Sequence, residues 1–300
     1  MLMPSLRNWF GRSGDAPPPE LVHATDEMPA EISAPVKVRG PRRLWSAERI
    51  RTAGMLWGEG FQFPGGEVET LRLAKPMGLS AASTLMLLGA GGGGPARTVA
   101  SKLGAWVSGF ESDTDLAAAA TDLMGRSKLG RRSQIQRWDP TDPNFAAAYF
   151  HHGLALEPLR DHQPELILAA IAMALKPGGQ LTLVETVADV PLPPKDHDVV
   201  HWARLEHRRP EALPSEIAIT RILGRLGFDV RIAEDISTRH VQQALIGWRR
   251  LVRAMETERP PLWQTALLVE EAELWLQRLK LFRAKQLRLV RWHGISRGAP

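Results

Sequence analysis

Short apolar runs alternate with segments of helical periodicity along most of this chain. The run at 85–88 is continuous and ends in glycines, which is typical of a parallel strand buried on both faces. Strands are predicted at 85–88, 106–110, 135–138, 145–150, 181–184, 228–232 and 287–292. Helices are predicted at 46–57, 95–103, 114–125, 164–175, 215–226, 238–257 and 262–284. This alternation predicts an open α/β sheet with helices on both faces.

The first part of the chain lacks such a pattern. Residues 1–43 carry prolines and scattered charges without a sustained period, so we expect a disordered Pro-rich arm before one domain at 44–300. Cysteine is absent, which excludes disulfides, thiolate catalysis and Cys-ligated metal sites. No run of eighteen apolar residues and no secretory signal is present, so a cytoplasmic protein is expected.

The net charge of +5 is concentrated near the C-terminus. From Arg239 onward there are 12 Lys/Arg and 5 Asp/Glu, interleaved with apolar residues at helical spacing. This pattern favours a solvated helical face over nucleic-acid binding, since no nucleic-acid module is recognisable. A protein partner or a second copy bound through 238–284 is the alternative use of these charges.

The strongest candidate site is LLGAGGGGPA at 87–96, between a predicted strand and a helix. Glycines allow a tight turn and close ligand approach, and the helix that follows presents unpaired N–H groups. Glu111 ends the next strand, where a carboxylate can accept both hydroxyls of a ribose. The glycines fit both G-x-G-x-x-G of dinucleotide-binding proteins and G-x-G-x-G of S-adenosylmethionine (SAM) enzymes. They are Gly89, Gly91, Gly93 and Gly94.

The segment LMLLGAGGGGPARTVASKLGAWVSGFE (85–111) resembles the first two motifs of class I SAM-dependent methyltransferases. LKPGGQLTLVE (175–185) resembles a later motif of that family, and GFDVRIAED and LRLVRWHGI resemble its last two strands. The resemblance covers about 50–296. It implies a Rossmann-like, mostly parallel seven-stranded sheet with a final antiparallel strand. It also implies SAM as cofactor and methyl transfer to a small-molecule acceptor.

The same resemblance assigns site residues. It gives the methionine part of SAM to Gly89, Ala90, Gly91 and Gly93, the ribose to Glu111 and the adenine region to Asp139. LWGEGFQFPGGEVETLRLAKPMGL (56–79) is similar to a segment of phosphoethanolamine N-methyltransferases that caps the cofactor, which adds Gly65 and Gly66. Segments 56–66 and 238–284 are then expected to form a lid.

Two departures from the family leave alternatives open. Leu87 stands where the family has an acid that helps to hold the methionine part of SAM. The Tyr–His pair of the phosphoethanolamine enzymes is missing, since its tyrosine positions fall at Ala53 and Phe61 and its histidine position near Pro158. Phosphoethanolamine is therefore not expected as the substrate. The first alternative to an active methyltransferase is therefore an inactive domain that acts as a regulatory or assembly subunit. An NAD(P)-dependent oxidoreductase is the third interpretation, against which the turn at 176–179 argues.

Several side chains are candidates to face the transferred methyl group. His151 and His152 follow the predicted fourth strand, at the edge where such sheets form sites, and an imidazole can act as a base. Glu157 and Glu185 are further candidates. Two aspartates and two histidines at 196–201 have metal-compatible side chains, but the prolines before them predict a solvated loop and no metal site.

Overall fold

Residues 44–160 and 162–298 are described in a computed structural model, and the expected arm at 1–43 lies outside them. Seven strands form one sheet. They are β1 (Thr84–Leu88), β2 (Trp106–Glu111), β3 (Ser133–Arg137), β4 (Phe150–Leu156), β5 (Leu175–Val187), β6 (Phe228–Asp235) and β7 (Arg288–Ser296).

The strand order is β3-β2-β1-β4-β5-β7-β6, and β7 runs antiparallel to both of its neighbours. The other pairs are parallel. This confirms the predicted mostly parallel, Rossmann-like sheet with a final antiparallel strand. The strand order reverses between β1 and β4, which is where open α/β sheets bind their ligands.

Helices cover both faces of the sheet. They are α1 (Ala47–Trp57), α2 (Gly66–Ala74), α3 (Gly94–Lys102), α4 (Thr114–Arg126), α5 (Pro164–Ala174), α6 (His197–Glu206), α7 (Glu216–Arg225), α8 (Ser237–Thr257) and α9 (Leu262–Arg283). Short polar side chains begin several of them: the Ser46 hydroxyl accepts a hydrogen bond from the Arg49 N–H at 3.2 Å. Within 44–160 and 162–298, no helix combines the length and apolar character needed to cross a membrane.

Strand β1 is buried on both faces, as its continuous apolar run predicts. Leu85 and Leu87 belong to a hydrophobic cluster on one face of the sheet, and Met86 and Leu88 to the cluster on the other. Successive side chains of a strand point to opposite faces, so both layers of the domain are anchored on this strand. Leu87, at 0% exposure, is part of this apolar packing.

The structure corrects several predicted bounds. The fourth strand is Phe150–Leu156 and not 145–150, because 145–149 form a loop before it. Residues 176–179 are not a turn outside the sheet but a bulge within β5, between the pairs Phe150–Leu175 and His152–Gln180. Helices α2 and α6 were not predicted, since glycines or prolines precede each of them.

Replacing Leu87 with the family's acid, Leu87→Asp, should lower the free energy of unfolding by about 4 kcal/mol, because a carboxyl group would enter the apolar packing. Urea unfolding measures this loss. Val68, which is exposed in the first turn of α2, provides the control: Val68→Asp should stay within about 0.5 kcal/mol of the unmodified chain. Equal stability of Leu87→Asp and the unmodified chain would contradict the packing of Leu87.

Candidate functional site

A cavity lies at the carboxyl ends of β1, β2 and β4. Leu88 pairs with Phe110 on one side and with Ala155 on the other, so the three strands end at the same level. The wall formed by the sheet edge includes Gly89, Gly91, Glu111, Trp138, Leu156 and Glu157. Other lining residues come from the segments predicted as a lid and from their ends, among them Phe63, Pro64, His240, Gln243, Trp275 and Arg278. The cavity therefore joins the glycine loop to the segments predicted as a lid.

The glycine loop turns sharply where β1 ends. Gly89 has a φ of 69°, and a Cβ atom there would overlap the carbonyl oxygen of Leu156. The Gly89 and Ala90 N–H groups both donate to the carbonyl oxygen of Phe110, at 3.0 and 3.3 Å. Only a residue without a side chain fits this turn, so Gly89 brings the backbone close to the edges of β2 and β4.

The next N–H groups of the loop already have partners within the chain. Gly91 donates to the Glu111 carboxylate at 2.7 Å, Gly92 to the Gln62 side-chain oxygen at 2.8 Å, and Gly94 to the Gly60 carbonyl at 2.9 Å. In dinucleotide-binding folds this turn and the helix N-terminus hold the pyrophosphate. The occupied N–H groups therefore disfavour a diphosphate ligand, and with it the NAD(P) interpretation.

Glu111 connects this loop to β2. One of its carboxylate oxygens accepts from Gly91, and the other accepts from the Asp113 N–H at 3.1 Å. Burial raises the pKa of the Glu111 carboxyl, and these two hydrogen bonds only partly offset that effect. A positively charged ligand in the cavity would favour the ionised form.

The two candidate histidines lie elsewhere. Because β4 begins at Phe150, His151 and His152 are inside the strand rather than after it. His152 pairs with Leu85 near the start of β1, and the Thr84 N–H donates to Nδ1 of His151 at 3.1 Å. The prediction that they follow the strand was wrong, and the structure places them toward the amino-terminal edge of the sheet.

Three further candidates, Asp139, Gly65 and Gly66, lie next to residues of the cavity wall but do not line the cavity themselves. Asp139 is exposed, and its carboxylate accepts from the Thr141 N–H and hydroxyl at 2.8 and 2.7 Å, while the neighbouring Trp138 lines the cavity. Gly65 and Gly66 form the start of α2, where a Cβ on Gly66 would overlap the Trp57 carbonyl oxygen. These glycines therefore set the direction in which α2 leaves the cavity.

Glu157 does line the cavity, but it is held by an ion-pair network. Arg278 of α9 donates to Glu157 and to Glu206 of α6, each at 2.9 Å. Glu157 also accepts from the Thr186 hydroxyl. Burial alone would raise the pKa of the Glu157 carboxyl, but the Arg278 and Arg208 charges and the Thr186 bond lower it. Glu157 is thus a paired carboxylate at the centre of the network.

Glu185 is fully buried and belongs to the same network. Its two carboxylate oxygens accept from the N–H groups of Leu159 and Thr186, and Arg208 approaches at 3.5 Å. Burial and the nearby charge of Glu157 raise the pKa of Glu185 to about 7, although Arg208 opposes this. Of the two neighbouring carboxyls, Glu185 is therefore the one that takes up a proton first.

Several residues that line the cavity were missed from the sequence. Gln62, Arg160, His240 and Arg278 come from four different parts of the chain. Arg160 lies within the field of Glu111, Glu157 and Glu206, and it forms no hydrogen bond with any residue of 44–160 or 162–298. Gln62, His240 and Arg278 lie in the segments predicted as a lid, but no local pattern singles out these side chains or Arg160, so only the fold brings them together.

The acidic and histidine cluster at 196–201 is not a loop. Asp196 begins α6 by accepting from the N–H groups of Asp198 and Val199, at 2.8 and 3.3 Å. Asp198 pairs with Lys280, and His201 lies 2.8 Å from a Glu273 oxygen. Across the described ranges, no group of three or more His, Asp or Glu is placed to hold a metal ion.

The fold is that of class I SAM-dependent methyltransferases. Phosphoethanolamine N-methyltransferase 2 of Haemonchus contortus, with phosphomonomethylethanolamine and S-adenosylhomocysteine, matches at TM-score 0.73 and 18% identity, over 84% of this chain and 58% of that one. A candidate sarcosine dimethylglycine methyltransferase from Galdieria sulphuraria matches at 0.65 and 12%, over 84% and 99%. The cyclase SpnF matches at 0.59 and 20%, over 78% and 82%.

These similarities concern the fold. No protein-family profile and no curated protein sequence matches the chain. The chain spans 58% of the length of the Haemonchus enzyme. Because the same fold also occurs in a cyclase, the reaction has to be argued from the site of this chain.

The raised pKa of Glu185 predicts a pH dependence of stability. The folded state holds this proton more tightly than the unfolded state, so the contribution is complete below the ordinary value of 4.5 and is lost as pH rises through about 7. Between pH 5 and pH 8, the unmodified chain should therefore lose more stability than Glu185→Gln, as measured by urea unfolding at each pH.

The control for this comparison is Glu165→Gln, at a partly solvated surface pair with Arg225. It should follow the pH dependence of the unmodified chain. Parallel pH profiles for Glu185→Gln and the unmodified chain would show that Glu185 ionises normally.

Proposed function

We propose that this protein is a SAM-dependent methyltransferase that acts on a small-molecule acceptor in the cavity described above. The observation that carries the proposal is the Glu111–glycine-loop arrangement, which lies at the point where the strand order reverses. Glu111 has the position of a ribose-binding carboxylate, and Gly89 and Gly91 line the cavity beside it.

The residues present fit the parts of SAM. Trp138 and Leu116 offer an aromatic and an aliphatic surface beside Glu111, which suits an adenine ring. The Arg160 guanidinium is available to bind the carboxylate of the amino-acid part. Gln62, which lies on the glycine loop and whose side-chain nitrogen is buried without a hydrogen-bond partner, can serve the same part. Asp139 acts at most indirectly, through the loop that orients Trp138.

The charges of the cavity favour a cationic ligand. Its wall includes six carboxyl groups, Glu69, Glu111, Asp113, Glu157, Glu206 and Glu271. It includes three guanidinium groups, Arg49, Arg160 and Arg278. Four of these carboxyls are in ion pairs with Arg49, Arg239 or Arg278. Glu111 and Asp113, beside the glycine loop, form no ion pair with a described residue, and negative charge there favours a sulfonium over a diphosphate. This supports SAM over NAD(P).

The chemistry that SAM supplies when bound is a methyl group on a positively charged sulfur, whose bond to carbon breaks as an acceptor lone pair forms the new bond. The residues of this chain position and enclose the reactants. Segment 56–66 and helices α8 and α9 act as the lid, with Phe63, Trp275 and Arg278 facing the cavity. Excluding water and aligning the acceptor are the main contributions such a site makes to an in-line transfer.

The inactive-subunit alternative rests on Leu87 and on the missing Tyr–His pair, and only Leu87 concerns the cofactor. An apolar residue at this position removes one charge-assisted bond to the cofactor, and such a loss weakens binding by about 10- to 100-fold. The Arg160 side chain provides a new polar contact at the same cavity. Contact of 238–284 with a protein partner or a second copy is a separate proposal. It is compatible both with an active methyltransferase and with an inactive subunit.

Calorimetry on protein stripped of ligand should detect S-adenosylhomocysteine binding, and no binding of NADH. Ligand at 100 times its dissociation constant should stabilise the fold by about 2.7 kcal/mol, which thermal unfolding also measures. Glu111→Gln should weaken S-adenosylhomocysteine binding by about tenfold or more, because it removes a charged acceptor for the ribose hydroxyls.

The matched control is Glu67→Gln, since the Glu67 side chain is half exposed and lies outside the cavity. This variant should bind S-adenosylhomocysteine like the unmodified chain. Absence of binding at millimolar S-adenosylhomocysteine would reject the proposed function and favour the subunit interpretation. Binding of NADH in its place would favour the oxidoreductase.

A further inference from the structure

The cavity continues beyond the part proposed for SAM, toward β5, β7 and the helices of the lid. This second part is called the acceptor end. Its apolar side chains come from the segment before α1, from α2, from the residue between β6 and α8, and from α9. They are Leu44, Trp45, Leu73, Ile236, Leu274 and Trp275. Since their aromatic and aliphatic surfaces have no polar atoms except the indole nitrogens, they favour an apolar occupant.

The charged groups of the acceptor end are already paired with one another. Arg49 lies 3.0 Å from Glu271, and the Trp275 indole N–H donates to the same carboxylate at 3.0 Å. Glu69 pairs with Arg239 at 3.1 Å. The ion pairs that Arg278 forms with Glu157 and Glu206 lie on the side of the acceptor end that faces the sheet. A charged acceptor would have to break one of these buried pairs or remain uncompensated, and both are unfavourable.

One polar side chain of the acceptor end has no partner. His240 of α8 is 6% exposed and lines the cavity, and its Nε2 is buried without a hydrogen bond. No described residue bonds its other ring nitrogen. Its ring contacts Trp275 and Phe282, with centroids 5.7 and 5.5 Å away. A buried polar group without a partner is unusual in proteins, and ligand-binding groups are one common explanation.

The imidazole of His240 is neutral. Burial and the positive charge of Arg278 lower the pKa of His240 to about 3, against a smaller opposite effect of Glu157. A neutral imidazole offers one donor and one acceptor nitrogen, which matches a hydroxyl group. It offers no charge to a carboxylate or a phosphate.

Since it rests on the proposed function, this inference names the acceptor of the same site. We propose that the acceptor is an uncharged, largely apolar molecule with a hydroxyl group, such as an aromatic alcohol, and that His240 binds that hydroxyl. The rings of Trp45 and Trp275 pack against its apolar part. Phosphorylated amines, such as the ligand of the Haemonchus enzyme, do not match this end of the cavity.

The test measures binding of probes to the full chain saturated with S-adenosylhomocysteine. The probes are 2-naphthol, naphthalene, 2-naphthoate and phosphoethanolamine. 2-Naphthol should bind about tenfold more tightly than naphthalene, because only the hydroxyl satisfies the buried imidazole. It should also bind more tightly than both charged probes. The reverse order for either charged probe, or no binding of 2-naphthol at its solubility limit, overturns the proposal.

Variants assign the preference to one side chain. His240→Ala should reduce the tenfold preference for 2-naphthol over naphthalene to less than twofold, with an unchanged dissociation constant for S-adenosylhomocysteine. His197→Ala, at an exposed histidine outside the cavity, should retain the preference. A preference that survives in His240→Ala overturns the role of His240.

A folding defect is separated from this result by a second variant, His240→Asn, which keeps a donor and an acceptor and should retain part of the preference. The cofactor measurement separates the two proposals. If S-adenosylhomocysteine binds but 2-naphthol does not, only the acceptor assignment fails. If S-adenosylhomocysteine does not bind, the proposed function itself fails.

Discussion

The geometry of the cavity depends on the two ion pairs formed by the Arg278 guanidinium. This group joins the C-terminal helix α9 to Glu157, just after β4, and to Glu206 at the end of α6. A buried ion pair of this kind contributes little net stability compared with apolar packing, but losing one partner leaves a charge uncompensated. The network therefore fixes where α9 lies, and with it the position of Trp275 and the depth of the acceptor end.

A second constraint concerns the glycine loop. Its tight turn brings backbone N–H groups to the sheet edge, but Glu111, Gln62 and Gly60 accept their hydrogen bonds. Although this glycine pattern serves dinucleotides in other proteins, the intrachain hydrogen bonds disfavour a diphosphate here. The ligand preference of a glycine-rich turn thus depends on the segments that pack on it as much as on the glycines themselves.

The candidate site shows which of its residues can be predicted from local sequence patterns and which cannot. Glycines and a following acid were found from sequence because the turn and the strand end require those residue types at fixed spacing. The sequence pattern misplaces His151 and His152 because it predicts the strand at the apolar stretch 145–150, whereas the strand begins at Phe150. A shift of a few residues moves a side chain from one edge of a sheet toward the other, so this small error reversed the conclusion about both histidines.

By itself the sequence determined the alternation of strands and helices and the place of the glycine loop, because these follow from local periodicity and turn chemistry. The antiparallel direction of the last strand was implied only by the resemblance to class I SAM-dependent methyltransferases. Only the tertiary structure decided which polar groups are buried, paired or left without a partner. Arg160, His240 and Arg278 belong to different segments, and their charges and hydrogen bonds are set by neighbours far away in the chain. Long-range packing therefore decides the chemistry of the acceptor end, which no local pattern encodes.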